Sequence, residues 1–117
     1  MLNIGPVGIR ERLQNEADGP HVPHIFEVEV LNALRYHARR GLSTKRNAKL
    51  LEDLMTMNLN RYPHSALLPR IWELRENVTA YDAAYITLAE TLNAPLITTD
   101  AKLARASGIR AEIELYE

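Results

Sequence analysis

The fold of this chain is decided by residues 79–100, whose sequence is TAYDAAYITLAETLNAPLITTD. Apolar side chains recur there at the i, i+3, i+4, i+7 spacing of an amphipathic helix. They are Tyr81, Ala84, Tyr85, Leu88, Ala89 and Leu92. Asn93 then favours a C-terminal helix cap, Pro95 blocks further helix, and residues 96–98 are typical of a short buried strand. The stretch therefore predicts a helix followed at once by a strand.

Two aspartates lie at the ends of these predicted elements. Asp82 falls in the first turn of the helix, and Asp100 comes just past the carboxyl end of the strand. An open α/β sheet binds its ligands at the carboxyl ends of its strands. Carboxylate oxygens are also the ligands that hard divalent cations prefer. The two aspartates therefore indicate a cation site at this end of the sheet.

A third acidic candidate lies in a predicted helix that contains FEVEVLNALR at 26–35. At about 100° per residue, Glu27 and Glu29 point to nearly opposite sides, so at most one of them can serve a given site. Glu29 shares its face with Ile25, Phe26, Ala33 and Tyr36. A charge among apolar side chains is costly unless it is paired or bound to a metal. Glu29 is therefore the candidate, and Glu27 needs no special role.

Each acidic residue also has an ordinary structural interpretation. Asp82 follows Thr79 by three positions, as in a capping box, and Asp100 is a suitable N-cap for the residues after it. Glu29 is open to an ion pair with Arg35 or another cation. Capping and metal binding are compatible because a capping carboxylate has a second oxygen to offer. The three residues together are therefore more informative than any one of them.

The rest of the chain alternates between helix and strand patterns. Helices are expected over 7–14, 25–40, 43–57, 65–76 and 100–105, and strands over 21–23, 58–62 and 109–115. Gly41 closes one helix, and Ser43 is a suitable N-cap for the next. The inner side of that helix is predicted to carry Ala48, Leu51, Leu54 and Met55. Strands that alternate with helices predict a small parallel α/β sheet.

Composition limits the possible classes of protein. The chain has 117 residues, enough for one domain with a sizeable core. The absence of cysteine rules out disulfides and thiolate metal ligands. A formal net charge of −1 argues against a uniformly basic surface, so nucleic-acid binding would need a local patch. Because no apolar run reaches membrane-spanning length and no signal-peptide pattern opens the chain, we expect a cytoplasmic domain without a membrane partner.

Other catalytic signatures are weak or absent in the sequence. His21 and His24 have the spacing of a zinc-ligand pair, but no second pair follows them, while His37 and His64 stand alone. The chain has no Gly-rich phosphate loop followed by Gly-Lys-Ser/Thr, and none of its serines lies in a Gly-x-Ser-x-Gly elbow. Surface or hydrogen-bonded histidines are therefore the preferred interpretation.

Three segments together resemble a known family. They are FEVEVLNAL at 26–34, AYDAAY at 80–85 and ITTDAKLA at 97–104. They closely resemble the three later motifs of PIN-domain proteins, above all the toxin halves of VapBC toxin–antitoxin pairs. The order and spacing of the motifs make the resemblance specific, and it extends from about Val7 to Leu115.

The resemblance implies a fold, an activity and partners. The fold would be a three-layer α/β/α domain with a central, mainly parallel sheet. The activity would be endoribonuclease cleavage of RNA that depends on Mg²⁺ or Mn²⁺. The metal ligands and catalytic carboxylates would be Glu29, Asp82 and Asp100, and Thr98 matches the hydroxyl residue near the last aspartate. The partners would be RNA, a cognate antitoxin protein and a second copy of the chain in a homodimer.

Substrate phosphates would be met by a local group of cations around the Gly41 turn. The candidates are Arg35, Arg39, Arg40, Lys45 and Arg46. The alternative is that these side chains are simply solvated at the end of one helix and the start of the next.

The resemblance does not extend to the family's opening motif, a strand that ends in an aspartate. One interpretation is that residues 1–4 fill the strand, which puts Gly5-Pro6 at the position of that aspartate. The other is that the chain as given begins after that strand. We therefore expect a single PIN-like domain over 1–117 that is shortened at its N-terminus relative to the family. Loss of one carboxylate ligand predicts impaired activity. The alternative is a catalytically inactive PIN domain that acts as a module for binding an antitoxin or itself.

Overall fold

A computed structural model describes residues 18–41 and 44–116. The strands are β1 (His21–Pro23), β2 (Asn60–Tyr62), β3 (Leu96–Thr98) and β4 (Ile113–Leu115). The helices are α1 (Phe26–Arg39), α2 (Thr44–Thr56), α3 (Leu68–Glu73), α4 (Ala80–Leu92) and α5 (Ala101–Arg105), and a 3₁₀ turn over Ser65–Leu67 precedes α3. The helix expected over 7–14, the cap expected at Ser43 and the opening segment of the chain lie outside the described residues.

All strand pairing in the described residues is parallel, which confirms the α/β class. β1 pairs with β2, with Val22 opposite Arg61, and β3 pairs with β4, with Ile97 opposite Glu114. The described strands form these two ladders instead of one continuous central sheet. Helix α4 packs against both β1 and β3. A groove of about 290 Å³ is lined by residues of β1, α4 and β3.

Two apolar clusters hold the fold together. The first joins α1, α2 and the β1–β2 ladder through Val22, Leu50, Leu54 and Leu59, with Phe26, Val30, Leu34 and Met57 packed around them. The second joins α4 and α5 to the segment after α3 through Leu74, Ala83, Ile86 and Leu103. The acidic candidates on α1, α4 and α5 therefore lie on helices that are each anchored in a core.

The prediction of which residues form the buried face of α2 was partly wrong. Leu54 is buried as expected, but Leu51 is 40% exposed and Met55 is 73% exposed. Ala48 is exposed as well, and the buried partner of Leu54 is Leu50. The i, i+4 pair of Leu50 and Leu54 faces the apolar side of α1, so α2 is rotated by about one residue from the predicted face.

The helix ends predicted from the sequence within residues 79–100 and at Gly41 agree with the structure. The side chain of Thr79 caps α4, and Asn93 ends this helix in the left-handed conformation at φ 51°. Asp100 caps α5 with its side chain. Gly41, at the end of α1, has φ 76°, a conformation that glycine adopts without strain. These predicted caps are confirmed.

The last strand is shorter than predicted. The alternating pattern favoured a strand over 109–115, but pairing with β3 covers only Ile113–Leu115. The backbone N–H of Arg110 donates to the Glu90 carboxylate at 2.8 Å instead of to a neighbouring strand. The Glu90 side chain of α4 thus takes the place of a neighbouring strand at Arg110, and residues 109–112 belong to the connection between α5 and β4. The three paired residues are all half-buried, so the expected in–out alternation is not seen there.

No helix in the described parts of the chain combines the length and the apolarity needed to cross a membrane.

Candidate active site

Glu29 contacts Tyr85, which lies within residues 79–100. Glu29 lies in the first turn of α1, and Tyr85 lies one turn beyond Asp82 on α4. The Tyr85 hydroxyl donates a hydrogen bond to Oε1 of Glu29 at 2.5 Å. Both side chains are half-buried. The half-buried Glu29 carboxylate is therefore satisfied by a hydroxyl donor, and the alternative of an ion pair with Arg35 or another cation is not seen among the described residues. Ala33 and Tyr36 on the predicted apolar face are exposed, so Glu29 does not interrupt a buried apolar stripe.

The Tyr85 hydroxyl remains a proton donor over the whole physiological pH range. Burial raises the pKa of Tyr85 well above its usual range, and the hydrogen bond to Glu29 raises it further. The negative charge of Asp82 adds to the shift. The charges of Glu29 and Asp82, which lie on different helices, therefore both favour the protonated form of the Tyr85 hydroxyl.

Asp82 sits at the positive end of the α4 dipole. Its backbone N–H donates to Oγ1 of Thr79 at 3.1 Å, which is the first half of the predicted capping box. Its half-buried carboxylate accepts no hydrogen bond from the described residues. The backbone of Asp82 is thus used for capping, and both of its carboxylate oxygens remain available.

Asp100 is held in place by the end of β3 and the start of α5. Its backbone N–H donates to Oγ1 of Thr98 at 3.0 Å. Its Oδ1 accepts from the backbone N–H of Lys102 at 2.9 Å, so the predicted cap exists. The second oxygen, Oδ2, has no hydrogen-bond partner within the described segments. Thr98 therefore contributes to the site by fixing the loop that carries Asp100.

The donor chemistry of these three carboxylates suits a hard divalent cation such as Mg²⁺ or Mn²⁺. Glu29 keeps Oε2, Asp82 keeps both oxygens, and Asp100 keeps Oδ2. Over 18–41 and 44–116, no three His, Asp or Glu side chains lie close enough together to hold a metal ion by themselves. Water and substrate oxygens commonly complete the coordination of Mg²⁺, so two protein carboxylates suffice as anchors.

Sequence reasoning missed a role for Glu27. Its two carboxylate oxygens accept from Nε and Nη2 of Arg61, at 2.7 and 3.0 Å. The Arg61 guanidinium thereby lowers the pKa of Glu27. This bidentate pair ties the start of α1 to β2 and so helps to fix the helix that carries Glu29. The two residues are far apart in sequence, and no local spacing indicated the pair.

The cationic side chains that were candidates for RNA contact all lie at the surface. Arg35, Arg39, Arg40, Lys45 and Arg46 are exposed, on both sides of the Gly41 turn. The Arg40 guanidinium lies 4.6 Å from the centre of the Tyr36 ring. Of the histidines, His21 is hydrogen-bonded to the Tyr62 hydroxyl through Nδ1 at 2.7 Å.

Comparisons with known proteins agree with the arrangement of these elements. The sequence pattern of the PIN domain family matches residues 7–109. Ribonuclease VapC9 and Ribonuclease VapC1, both of Mycobacterium tuberculosis, are each 41% identical to this chain. The match with VapC9 covers 74% of this chain and 69% of that protein, and the match with VapC1 covers 81% and 73%. Ribonuclease VapC12 of the same organism is 37% identical, with 92% and 82% covered. The chain therefore belongs to the PIN-domain family, with VapC ribonucleases among its relatives.

Proposed function

We propose that this chain is a metal-dependent endoribonuclease of the VapC toxin type. The observation that carries the proposal is the Glu29 carboxylate, which the Tyr85 hydroxyl holds by one oxygen while the other is left for a cation. Asp82 lies one helical turn before Tyr85 on α4, and both of its carboxylate oxygens are available. Similarity to three proteins named as ribonucleases identifies RNA as the substrate class. A module that binds without cleaving is the alternative, and the same assay distinguishes the two.

The cofactor in this proposal is Mg²⁺ or Mn²⁺, and its ligands are drawn from Glu29, Asp82 and Asp100. Because no three such side chains of the described residues lie close enough together to hold the ion by themselves, water or substrate oxygens would complete its coordination. A bound cation of this kind lowers the pKa of a coordinated water and stabilises the negative charge that develops on the attacked phosphate. The protein's own contribution is placement. Thr98 fixes the backbone of Asp100, and the capping of α4 by Thr79 fixes the backbone of Asp82.

The exposed cations around the Gly41 turn are proposed to contact RNA phosphates. Arg35 and Arg39 lie on α1, Arg40 follows its end, and Lys45 and Arg46 lie in the first turn of α2. Such contacts position a nucleic acid without reading its sequence. A small local patch of this kind is compatible with a chain whose formal net charge is −1.

The proposed function is tested by incubating purified protein with a structured RNA. We expect cleavage that requires Mn²⁺ or Mg²⁺, stops on addition of EDTA and resumes when excess Mn²⁺ is restored. Chelation removes the cation that supplies the nucleophilic water, so the loss should be complete and reversible. RNA binding with no cleavage at any metal concentration would favour the binding module instead.

We further propose a cytoplasmic location, a cognate antitoxin as protein partner, and a homodimer. Support for association comes from apolar side chains exposed on α1 and α2. Val28 is 68% exposed and Met55 is 73% exposed, with Leu31 and Leu51 also exposed. Exposed apolar surface of this kind often marks a protein–protein interface.

Light scattering at micromolar concentration should therefore give twice the mass of one chain. A monomer that keeps its fold at that concentration would contradict the proposed homodimer.

A further inference from the structure

We propose that Tyr85 is a positioning residue, which acts by holding the Glu29 carboxylate in the orientation that binds the cation. This inference rests on the proposed function, because it concerns a residue that supports one of the proposed metal ligands. Tyr85 would not touch the reacting atoms. Its effect would pass through Glu29 alone.

The hydrogen bond between Tyr85 and Glu29 leaves one carboxylate oxygen for a ligand. The hydroxyl occupies Oε1, and Oε2 has no hydrogen-bond partner in the parts of the chain that the structure describes. A free glutamate side chain rotates about three bonds and loses that freedom when it coordinates a metal. A carboxylate that a hydroxyl already holds has lost this rotational freedom before the metal binds. The entropic cost of ordering the glutamate side chain on metal binding is therefore smaller.

The packing of Tyr85 suits it to fix the orientation of the Glu29 carboxylate. A tyrosine ring has only two rotatable bonds, and this ring is half-buried in the wall of the groove between β1 and β3. Its neighbours on α4, Ala84 and Ile86, are buried in the core. The hydroxyl is therefore fixed by the packing of α4, and Glu29 on α1 takes its orientation from it.

The test compares Tyr85→Phe with Tyr81→Phe by measuring Mn²⁺ affinity calorimetrically in the absence of RNA. Tyr85→Phe keeps the ring that packs in the groove and removes only the hydroxyl. Tyr81→Phe makes the same change on the same helix, where the side chain is 64% exposed and its hydroxyl has no partner among the described residues. We expect Tyr85→Phe to weaken Mn²⁺ binding by about 10-fold, as partners of metal ligands typically do, and Tyr81→Phe to leave it unchanged.

A double variant shows whether the effect passes through Glu29. Once Glu29→Gln has removed the charged ligand, adding Tyr85→Phe should weaken Mn²⁺ binding no further, because coupled residues give non-additive effects. Additive losses would overturn the proposal. So would a Tyr85→Phe protein that melts at a lower temperature but binds Mn²⁺ with unchanged affinity, since its tyrosine would then serve folding only.

The two levels of the proposal fail in different ways. If folded Glu29→Gln protein binds Mn²⁺ and cleaves RNA like the unaltered chain, Glu29 is not a ligand and the proposed active site is wrong. If Glu29→Gln weakens both properties while Tyr85→Phe changes neither, the active site stands and the positioning role of Tyr85 is overturned.

Discussion

Replacing Asp82 by asparagine is expected to reduce metal-dependent RNA cleavage by about 100-fold or more. Asparagine has the same shape but no charge, so it is a much weaker ligand for a hard cation. The fold should survive, because the capping contact uses the backbone N–H of residue 82, which the substitution keeps. The initial rate on a structured RNA, measured at a fixed Mn²⁺ concentration, gives the ratio directly.

Asp53→Asn provides the matched control for this prediction. Asp53 lies on α2, away from the candidate site, and forms a surface ion pair with Lys49 at 3.0 Å. Such pairs contribute little to stability, so this variant should cleave RNA at close to the unaltered rate. Equal rates for Asp82→Asn and the unaltered chain would show that the charge of Asp82 plays no part in catalysis.

Glu90→Gln is expected to lower the free energy of unfolding by about 1–2 kcal/mol at pH 7. Glu90 accepts from Nε and Nη2 of Arg70 at 2.9 and 3.1 Å, and its side chain is only 13% exposed. Arg70 also donates to the carbonyl of Gly108 at 2.7 Å. The pair therefore joins α3, α4 and the segment before β4. Loss of the charge weakens the hydrogen bonds that Glu90 accepts from Arg70 and from the backbone N–H of Arg110.

The same pair predicts a pH dependence with a definite sign. The hydrogen bond from Arg70 lowers the pKa of Glu90 below its usual value. The stabilisation is therefore fully present above the pKa that a glutamate has when the chain is unfolded, and is lost as the pH falls through the lower folded value. Urea unfolding between about pH 7 and pH 3 should show the gap between the unaltered chain and Glu90→Gln closing below about pH 4.

Glu76→Gln is the control for Glu90→Gln. Glu76 is exposed and has no hydrogen-bond or ion-pair partner among the described residues, so its substitution should change stability by less than about 0.5 kcal/mol. If the gap between the unaltered chain and Glu90→Gln stays constant as the pH falls, the charge of Glu90 is not the source of the stabilisation.

Local signals in the sequence were enough to place the central elements of the fold. Helix α4, strand β3 and the cap at Asp100 depend on periodicity, a proline and a capping side chain, all of which act within a few residues. The same signals placed Asp82 at a helix start and Asp100 after a strand. The amino-acid sequence alone was therefore sufficient to name the three acidic candidates.

The contacts that set the orientation of the site could not be predicted in the same way. Glu29 meets Tyr85, and Glu27 meets Arg61, across long stretches of chain, and only tertiary packing brings these partners together. The shortened β4 has a similar cause, because the Glu90 side chain competes for the N–H of Arg110. Which side of α2 is exposed depends on how α2 packs against α1. The periodicity of apolar residues predicts that a helix has an apolar face, but it does not predict how the helix is rotated against its neighbour.

The most direct test of the proposed active site is to locate Mn²⁺ in crystals of the protein by its anomalous scattering. We predict a peak bound by the carboxylates of Glu29, Asp82 and Asp100, either directly or through a water molecule. A peak at other residues, or none at all in protein that cleaves RNA in the presence of Mn²⁺, would contradict this assignment of the metal site.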